Sequence, residues 1–160
     1  MKDQAIQDLY PEKWSYCFGC GTLNEHGLKV KSYWDGNVGT CTFFPHEYHK
    51  AFEGFVYGGL IASVIDCHSI AIAVAAYYQT DKKVKGDNFM NEASYGFVTS
   101  KLTIKYLRPT PIGKNLDFKS EVSELTENIA KIITILSVDG NECAKGEVTA
   151  IKVPLSFENI

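Results

Sequence analysis

The chain has 160 residues and a formal net charge of -3. Hydrophobic residues make up 45% of it and charged residues 22%, an ordinary globular composition and enough chain to bury one core, which predicts a single domain over residues 1–160. The slightly acidic balance argues against a nucleic-acid partner, which calls for a basic excess, and the polar segment Met1–Tyr10 lacks the apolar core of a secretory leader.

Residues 1–16 read as an irregular lead, with Pro11, and the glycine-flanked cluster Cys17-Phe-Gly-Cys20-Gly21 follows. Leu28–Trp34 partly alternates, with Leu28, Val30 and Trp34 on one side and Lys29 and Lys31 on the other; Asp35-Gly36 is a hairpin turn, and Val38–Phe44 returns as a second strand. A loop from Pro45 to Val56 carries His46, His49, Glu53 and the aromatics Tyr48, Phe52 and Phe55. Residues 57–78 then form one long apolar helix, opened by Gly58-Gly59 and interrupted by Asp66 and His68. Its apolarity raises the question of a membrane span, but Asp66, His68 and the serines break the run, so a buried helix with no membrane role is expected. A polar segment from Thr80 to Gly96 carries Lys82, Lys83 and Lys85. Four strand segments complete the chain: Phe97–Leu107, closed by Arg108-Pro-Thr-Pro111; Leu116–Leu125; and Ile129–Val138, which turns at Asp139-Gly140 into Glu142–Val153.

One apolar helix among six strands needs a sheet against several of its faces. The expected fold is α+β, a curved antiparallel sheet of about six strands wrapped around one central helix. The free sheet edge and the open helix end favour a homo-oligomer, a dimer or a dimer of dimers.

Asp66 carries the most chemical information. Helical spacing puts Gly59, Ala62, Asp66 and Ile70 on one face. A carboxylate among Ile, Val and Ala is costly unless it is satisfied or used, so Asp66 is either a general base or nucleophile or a structural acid bound to backbone or to a partner chain. Gly58 and Gly59 either pack tightly or leave backbone N–H groups bare at the positive end of the helix, where an oxyanion is stabilised. A carboxylate and an oxyanion site on one element suit acyl transfer. His68 lies roughly 200° around the helix from Asp66, so the two cannot form a dyad. Cys17-x-x-Cys20 invites a zinc reading, but zinc takes four ligands and the sequence offers no second pair; His26 and Cys41 could join only by chance of folding, so no metal is expected. The odd count of five cysteines, without a leader, fits a reducing cytoplasm better than a disulfide framework.

The ordered set Cys17-Phe-Gly-Cys-Gly21, Asn24, Gly27-Leu28, His49, Gly54-Phe-Val-Tyr-Gly-Gly59, Asp66 and Leu102-Thr-Ile-Lys-Tyr-Leu-Arg-Pro-Thr-Pro111 with Gly113 resembles the PaaI-like branch of the hotdog-fold acyl-CoA thioesterases, over about residues 17–153. The resemblance implies hydrolysis of an acyl-CoA or acyl-carrier thioester, with coenzyme A as part of the substrate and no separate cofactor. It assigns Asp66 to catalysis, Gly58 as the main oxyanion donor beside Gly59, and Thr99 as a residue reaching the site across the dimer interface. Tyr57 stands where the family has the His of His-Gly-Gly. Its hydroxyl could face the thioester carbonyl, or its ring could wall the acyl pocket. His49 could line the pocket entrance and Phe55 the acyl pocket, while Lys105, Arg108 and Lys114, or the Lys82–Lys85 loop, could meet the phosphates of coenzyme A. Two alternatives remain: a hotdog module that binds acyl-CoA without turnover, and an enoyl hydratase or dehydratase using His49 with Glu53 or Asp66.

Overall fold

The computed structural model describes residues 4–80 and 94–156. Its strands are β1 (Tyr33–Trp34), β2 (Val38–Phe43), β3 (Lys50–Phe52), β4 (Phe55–Val56), β5 (Tyr95–Tyr106), β6 (Leu116–Leu125), β7 (Ile129–Val138) and β8 (Asn141–Pro154), with one long helix, α1 (Gly58–Thr80). Six strands form one antiparallel sheet in the order β1-β2-β6-β7-β8-β5. Helix α1 packs against all six, so the sheet wraps the helix as expected. The remaining pair, β3 and β4, is a small hairpin immediately before α1. Sequence reading took that stretch as loop, because its strands are only three and two residues long.

Alternation dictates which side of each strand meets the helix. Leu116, Phe118 and Ser120 of β6, Ala130, Ile132, Thr134, Leu136 and Val138 of β7, and Ala144, Val148 and Ala150 of β8 are all buried. Two glycines let the helix come close: a Cβ on Gly146 would sit 2.4 Å from Ile65 Cγ2, and one on Gly39 would sit 2.4 Å from the Ile72 side chain. Helix α1 is long and apolar enough to cross a membrane by length and composition, yet 72% of its most apolar window is buried inside this fold.

Polar groups in the core are tied together. Ser69 Oγ lies 2.8 Å from Thr134 Oγ1, which lies 2.6 Å from Ser120 Oγ, fastening the helix to β6 and β7. Gln7 Nε2 donates to Ser32 Oγ (2.9 Å), and the Ser32 N–H donates back to Gln7 Oε1 (2.8 Å). His68 Nδ1 joins the same serine at 2.9 Å. The histidine is therefore a core group held by its neighbours, on the side of the helix away from Asp66.

One strand expectation changes, and the lead segment proves to join the core. Leu28–Val30 is not part of the sheet: the Leu28 and Val30 N–H groups donate to the carbonyls of Phe18 and Gly19 (2.8 and 3.0 Å), and Lys29 takes φ 57°, so only Tyr33–Trp34 pairs with β2. Residues 4–21 are less peripheral than expected: Ile6 is fully buried, and the Trp14 ring fills the space beside Gly96, where a Cβ would lie 1.5 Å from it. The Lys82–Lys85 segment lies outside the described residues.

Burial holds the His68 imidazole neutral, with its pKa pushed down to about 3. An unfolded chain takes up that proton near pH 6.5. Folding stability should therefore fall as pH drops from about 6.5 toward 3, by about 1.4 kcal/mol per pH unit from this residue. Urea titrations across that range should give a flatter pH slope for His68→Gln than for the parent, whatever the variant's stability at pH 8. Equal slopes would contradict the buried neutral imidazole.

Candidate active site

Asp66 projects from the face of α1 that the sheet leaves uncovered. Gly59, Ala62, Ser63, Asp66 and Ile70, at helical spacing along that face, are all partly exposed, while most of the helix around them is buried. Thr99 Oγ1 donates a 2.5 Å hydrogen bond to Asp66 Oδ1. A register shift in β5 makes that contact possible. Thr99 pairs with Ala150 and Lys101 with Thr149, so Ser100 is the extra residue of a bulge. Phe97 and Thr99 point toward the helix before the bulge, and the more sheltered residues after it are Leu102 and Ile104. Without the extra residue the two sets would face opposite sides of the sheet.

The resemblance places Thr99 across a dimer interface, whereas here it reaches the Asp66 of its own chain. The bulge that aims Thr99 at the helix is announced by no residue pattern in the sequence.

The carboxyl group opens into a cavity of about 400 Å³ that is also lined by Tyr10, Trp14, Cys17, Cys67 and Phe97. Partial burial pushes the Asp66 pKa up, the Thr99 hydrogen bond opposes that rise, and the Cys17 sulfur adds to it. Asp66 is thus a proton acceptor stronger than a surface carboxylate, with one oxygen held in place by a neighbour.

Gly58 and Gly59 stand at the other end of the exposed face. The Leu60 and Ile61 N–H groups turn back to the Tyr57 carbonyl (3.0 and 3.3 Å), and among the described residues no backbone hydrogen bond uses the Gly58 or Gly59 N–H. The helix start is fixed on both sides: the Tyr57 N–H donates to the His49 carbonyl (2.9 Å), and the Tyr106 hydroxyl donates to the Gly58 carbonyl (2.7 Å). In the sequence Tyr106 counted only as part of the strand and of the segment carrying the family resemblance, with no role at the helix start.

Gly59 and Asp66 share a helix face, as the spacing indicated, but they do not share a pocket. Gly59 opens to a separate recess of about 360 Å³, lined with Phe18, Tyr48, His49, Tyr57 and Ser63. Seven helical residues place Gly59 about 10 Å along the axis from Asp66. The turn around Gly19 covers the helix between them, since a Cβ on Gly19 would meet Cys67 Sγ at 2.2 Å and the Ser63 carbonyl at 3.7 Å. Tyr57 lies over Gly59, with its ring 2.4 Å from where a Cβ would be.

The remaining candidates fall on both sides of this division. His49 Nδ1 accepts the His46 N–H (3.1 Å), so its ring is engaged in the loop beside the Gly59 recess. Partial burial, together with His46, lowers its pKa. Glu53 pairs with Lys50, away from Asp66. Phe55 is half-exposed and bridges to Pro111. Lys105 is exposed on β5, and Arg108 is exposed with one guanidinium nitrogen donating to the Glu142 carbonyl (2.6 Å). Lys114 pairs with Asp139.

Folding also assembles a group the sequence spacing had left at two members. Cys67 joins Cys17 and Cys20, while Cys41 is buried elsewhere in the core and His26 is exposed on a different recess. Hydrogen bonds from Cys20 and Cys67 favour the Cys17 thiolate and lower its pKa, and the same contacts raise those of Cys20 and Cys67.

A thioesterase superfamily profile matches residues 53–144, more than half of the chain. A thioesterase superfamily protein from Shewanella loihica is 37% identical; the match covers 83% of this chain and 98% of that one, with a TM-score of 0.62. The Escherichia coli PaaI protein of the phenylacetic acid degradation operon is 16% identical over 79% of this chain and 80% of its own, at a TM-score of 0.61. A Streptococcus mutans protein solved bound to acetyl CoA is 15% identical over 78% and 89%, at 0.62. No match was found among curated proteins. The chain belongs to the thioesterase superfamily and has its hotdog fold, with PaaI-like structures among its neighbours.

Thr99→Val removes the hydroxyl that restrains the Asp66 pKa. A carbon-13 NMR titration of the Asp66 carboxyl group should show its midpoint moving to higher pH in the variant. An unchanged or lower midpoint would mean that the hydroxyl does not hold the ionised carboxylate.

Proposed function

We propose that this chain hydrolyses an acyl thioester, of coenzyme A or of an acyl carrier, to a free acid and a thiol. Asp66 carries the reading: it is a half-buried carboxylate with a raised pKa, aimed into a cavity and held by Thr99. The carboxylate takes a proton from water attacking the thioester carbonyl, or attacks that carbonyl itself. The negative charge that develops on the carbonyl oxygen is met by the Gly58 and Gly59 N–H groups at the positive end of a helix. Thr99 keeps one carboxylate oxygen fixed and leaves the other for the reaction.

The roughly 10 Å between the two ends of the face is too long for one tetrahedral intermediate to touch both. The reading therefore joins Asp66 of one copy to the glycine amides of a second copy in a homodimer or a dimer of dimers. Two features support that pairing: β5 is a twelve-residue strand with one unpaired edge, and it carries Thr99 together with the exposed residues Val98 and Tyr106. Lys105, on the same strand, and Arg108, just beyond it, offer positive charge to the phosphates of coenzyme A. No separate cofactor is required by this chemistry. Five unpaired cysteines suit a cytoplasmic location.

A second reading, an acyl-CoA-binding module without turnover, draws on one observation: the Tyr57 ring lies over Gly59. Hydration of an enoyl thioester draws less support, because Glu53 pairs with Lys50 and His49 Nδ1 is already engaged by the His46 N–H.

A panel of short, long and aromatic acyl-CoAs should include at least one that is hydrolysed, and Asp66→Asn should lower that rate by roughly 10²–10⁴-fold with circular dichroism and melting behaviour retained. Tight binding without release of free thiol across the panel would favour the module, and full activity in Asp66→Asn would remove the aspartate from the chemistry. Tyr57→Phe reads the hydroxyl separately: a slower rate at unchanged KM assigns it to the carbonyl, and an unchanged rate leaves the ring as a wall.

A further inference from the structure

The cavity around Asp66 contains three sulfurs that thioester hydrolysis does not use. Cys17 comes from the turn after the lead segment, Cys20 from the end of the same turn, and Cys67 from the helix. Their Sγ atoms all lie within 4.8 Å of one another, and those of Cys17 and Cys67 are 3.8 Å apart. We propose that Cys17, Cys20 and Cys67 form a binding site for one zinc ion, with the fourth tetrahedral position open to the cavity.

The distances fit this chemistry. A zinc–thiolate bond of about 2.3 Å in tetrahedral geometry puts neighbouring sulfurs about 3.8 Å apart. A disulfide needs about 2.0 Å, so the Cys17 and Cys67 sulfurs stand at the spacing of co-ligands, well short of bonding. A disulfide would also use two of the three sulfurs and give no reason for the third. The turn is shaped to bring two of the sulfurs together: the Gly21 N–H closes it on the Cys17 carbonyl at 2.8 Å, so that Cys20 returns beside Cys17. Gly19 permits the approach to the helix, since any side chain there would occupy the place of Cys67 Sγ.

Tyr10 supplies an independent observation. Its hydroxyl is buried and has no hydrogen-bond partner among the described residues, and Tyr10 lines the same cavity as the three cysteines. A buried phenol without an acceptor is costly. A water or hydroxide on the fourth position of the ion would accept that proton. Each ligating thiol loses its proton on binding, and the ion ties the 17–21 turn to the helix at the residue after Asp66, fixing one wall of the Asp66 cavity. The site stands on the sulfur geometry and the Tyr10 hydroxyl, and is independent of the thioesterase reading.

The test is metal binding by the full chain, purified under reductant and titrated with zinc and separately with cobalt. One ion per chain is expected, with sulfur-to-metal charge-transfer absorption in the cobalt form. Cys17→Ser, Cys20→Ser and Cys67→Ser should each weaken zinc binding at least tenfold, while Cys41→Ser and Cys143→Ser should leave it unchanged. A readout on the parent protein guards against variants that fail to fold: zinc should protect Cys17, the exposed member of the three, from alkylation, as located by peptide mass. Failure to bind either ion, binding that survives Cys67→Ser, or Cys17 alkylated equally with and without zinc would overturn the site. None of these results bears on thioester hydrolysis, which the acyl-CoA panel reads separately.

Discussion

The hydrogen bond from Thr99 to Asp66 is the constraint on which the site depends. A carboxylate on the central helix of a hotdog fold sits between two demands. Burial makes it a better base and at the same time makes its charge costly. One short hydrogen bond from the adjacent strand meets both: it steadies the ionised form and fixes the direction of the second oxygen. That bond exists because β5 bulges at Ser100, which turns Thr99 toward the helix while keeping Leu102 and Ile104 on the core side. The bulge lies on the free edge of the sheet, where an irregular strand costs least and where a second copy can approach.

The helix carries two chemical ends that one chain keeps apart. At the first turn, glycine amides stand without backbone acceptors among the described residues; two turns later a carboxylate opens into another cavity. Between them the 17–21 turn presses on the helix through Gly19. The two ends are, under the proposed function, the two halves of an acyl-transfer site, and within the described residues of one chain they open to different recesses. Under the proposed function, symmetry resolves this, because a twofold pairing gives each carboxylate a partner helix start and makes two equivalent sites.

Much of this was legible in the sequence for identifiable reasons. The strands β6 and β7 were bounded to the residue because Leu116–Leu125 largely alternates, Ile129–Val138 is rich in β-branched residues, and both end at turn residues. The helix was legible from its long apolar run and the Gly58-Gly59 start, and the exposed face through Gly59, Ala62, Asp66 and Ile70 followed from helical geometry alone. What escaped was tertiary. The lead segment reads as irregular, yet Trp14 and Tyr10 wall the Asp66 cavity, and only long-range packing reveals it. Leu28–Val30 alternates like a strand but gives its N–H groups to the cysteine turn. Cys67 stood beside Asp66 in plain view, but its meeting with Cys17, fifty residues away, depends on how the turn folds back. Gly59 and Asp66 open to different recesses although they share a face, because periodicity places residues on a face and says nothing of what crosses it.

The claim that the site is shared between copies has a direct test in subunit complementation. Asp66→Asn and Gly59→Val chains, each inactive alone, are unfolded, mixed in equal amounts and refolded together. If the carboxylate of one copy works with the helix start of the other, mixed dimers contain one intact site, and activity should return to roughly a quarter of the parent rate. A mixture as inactive as its components, with mixed dimers verified by mass, would contradict a shared site and return both functions to a single chain.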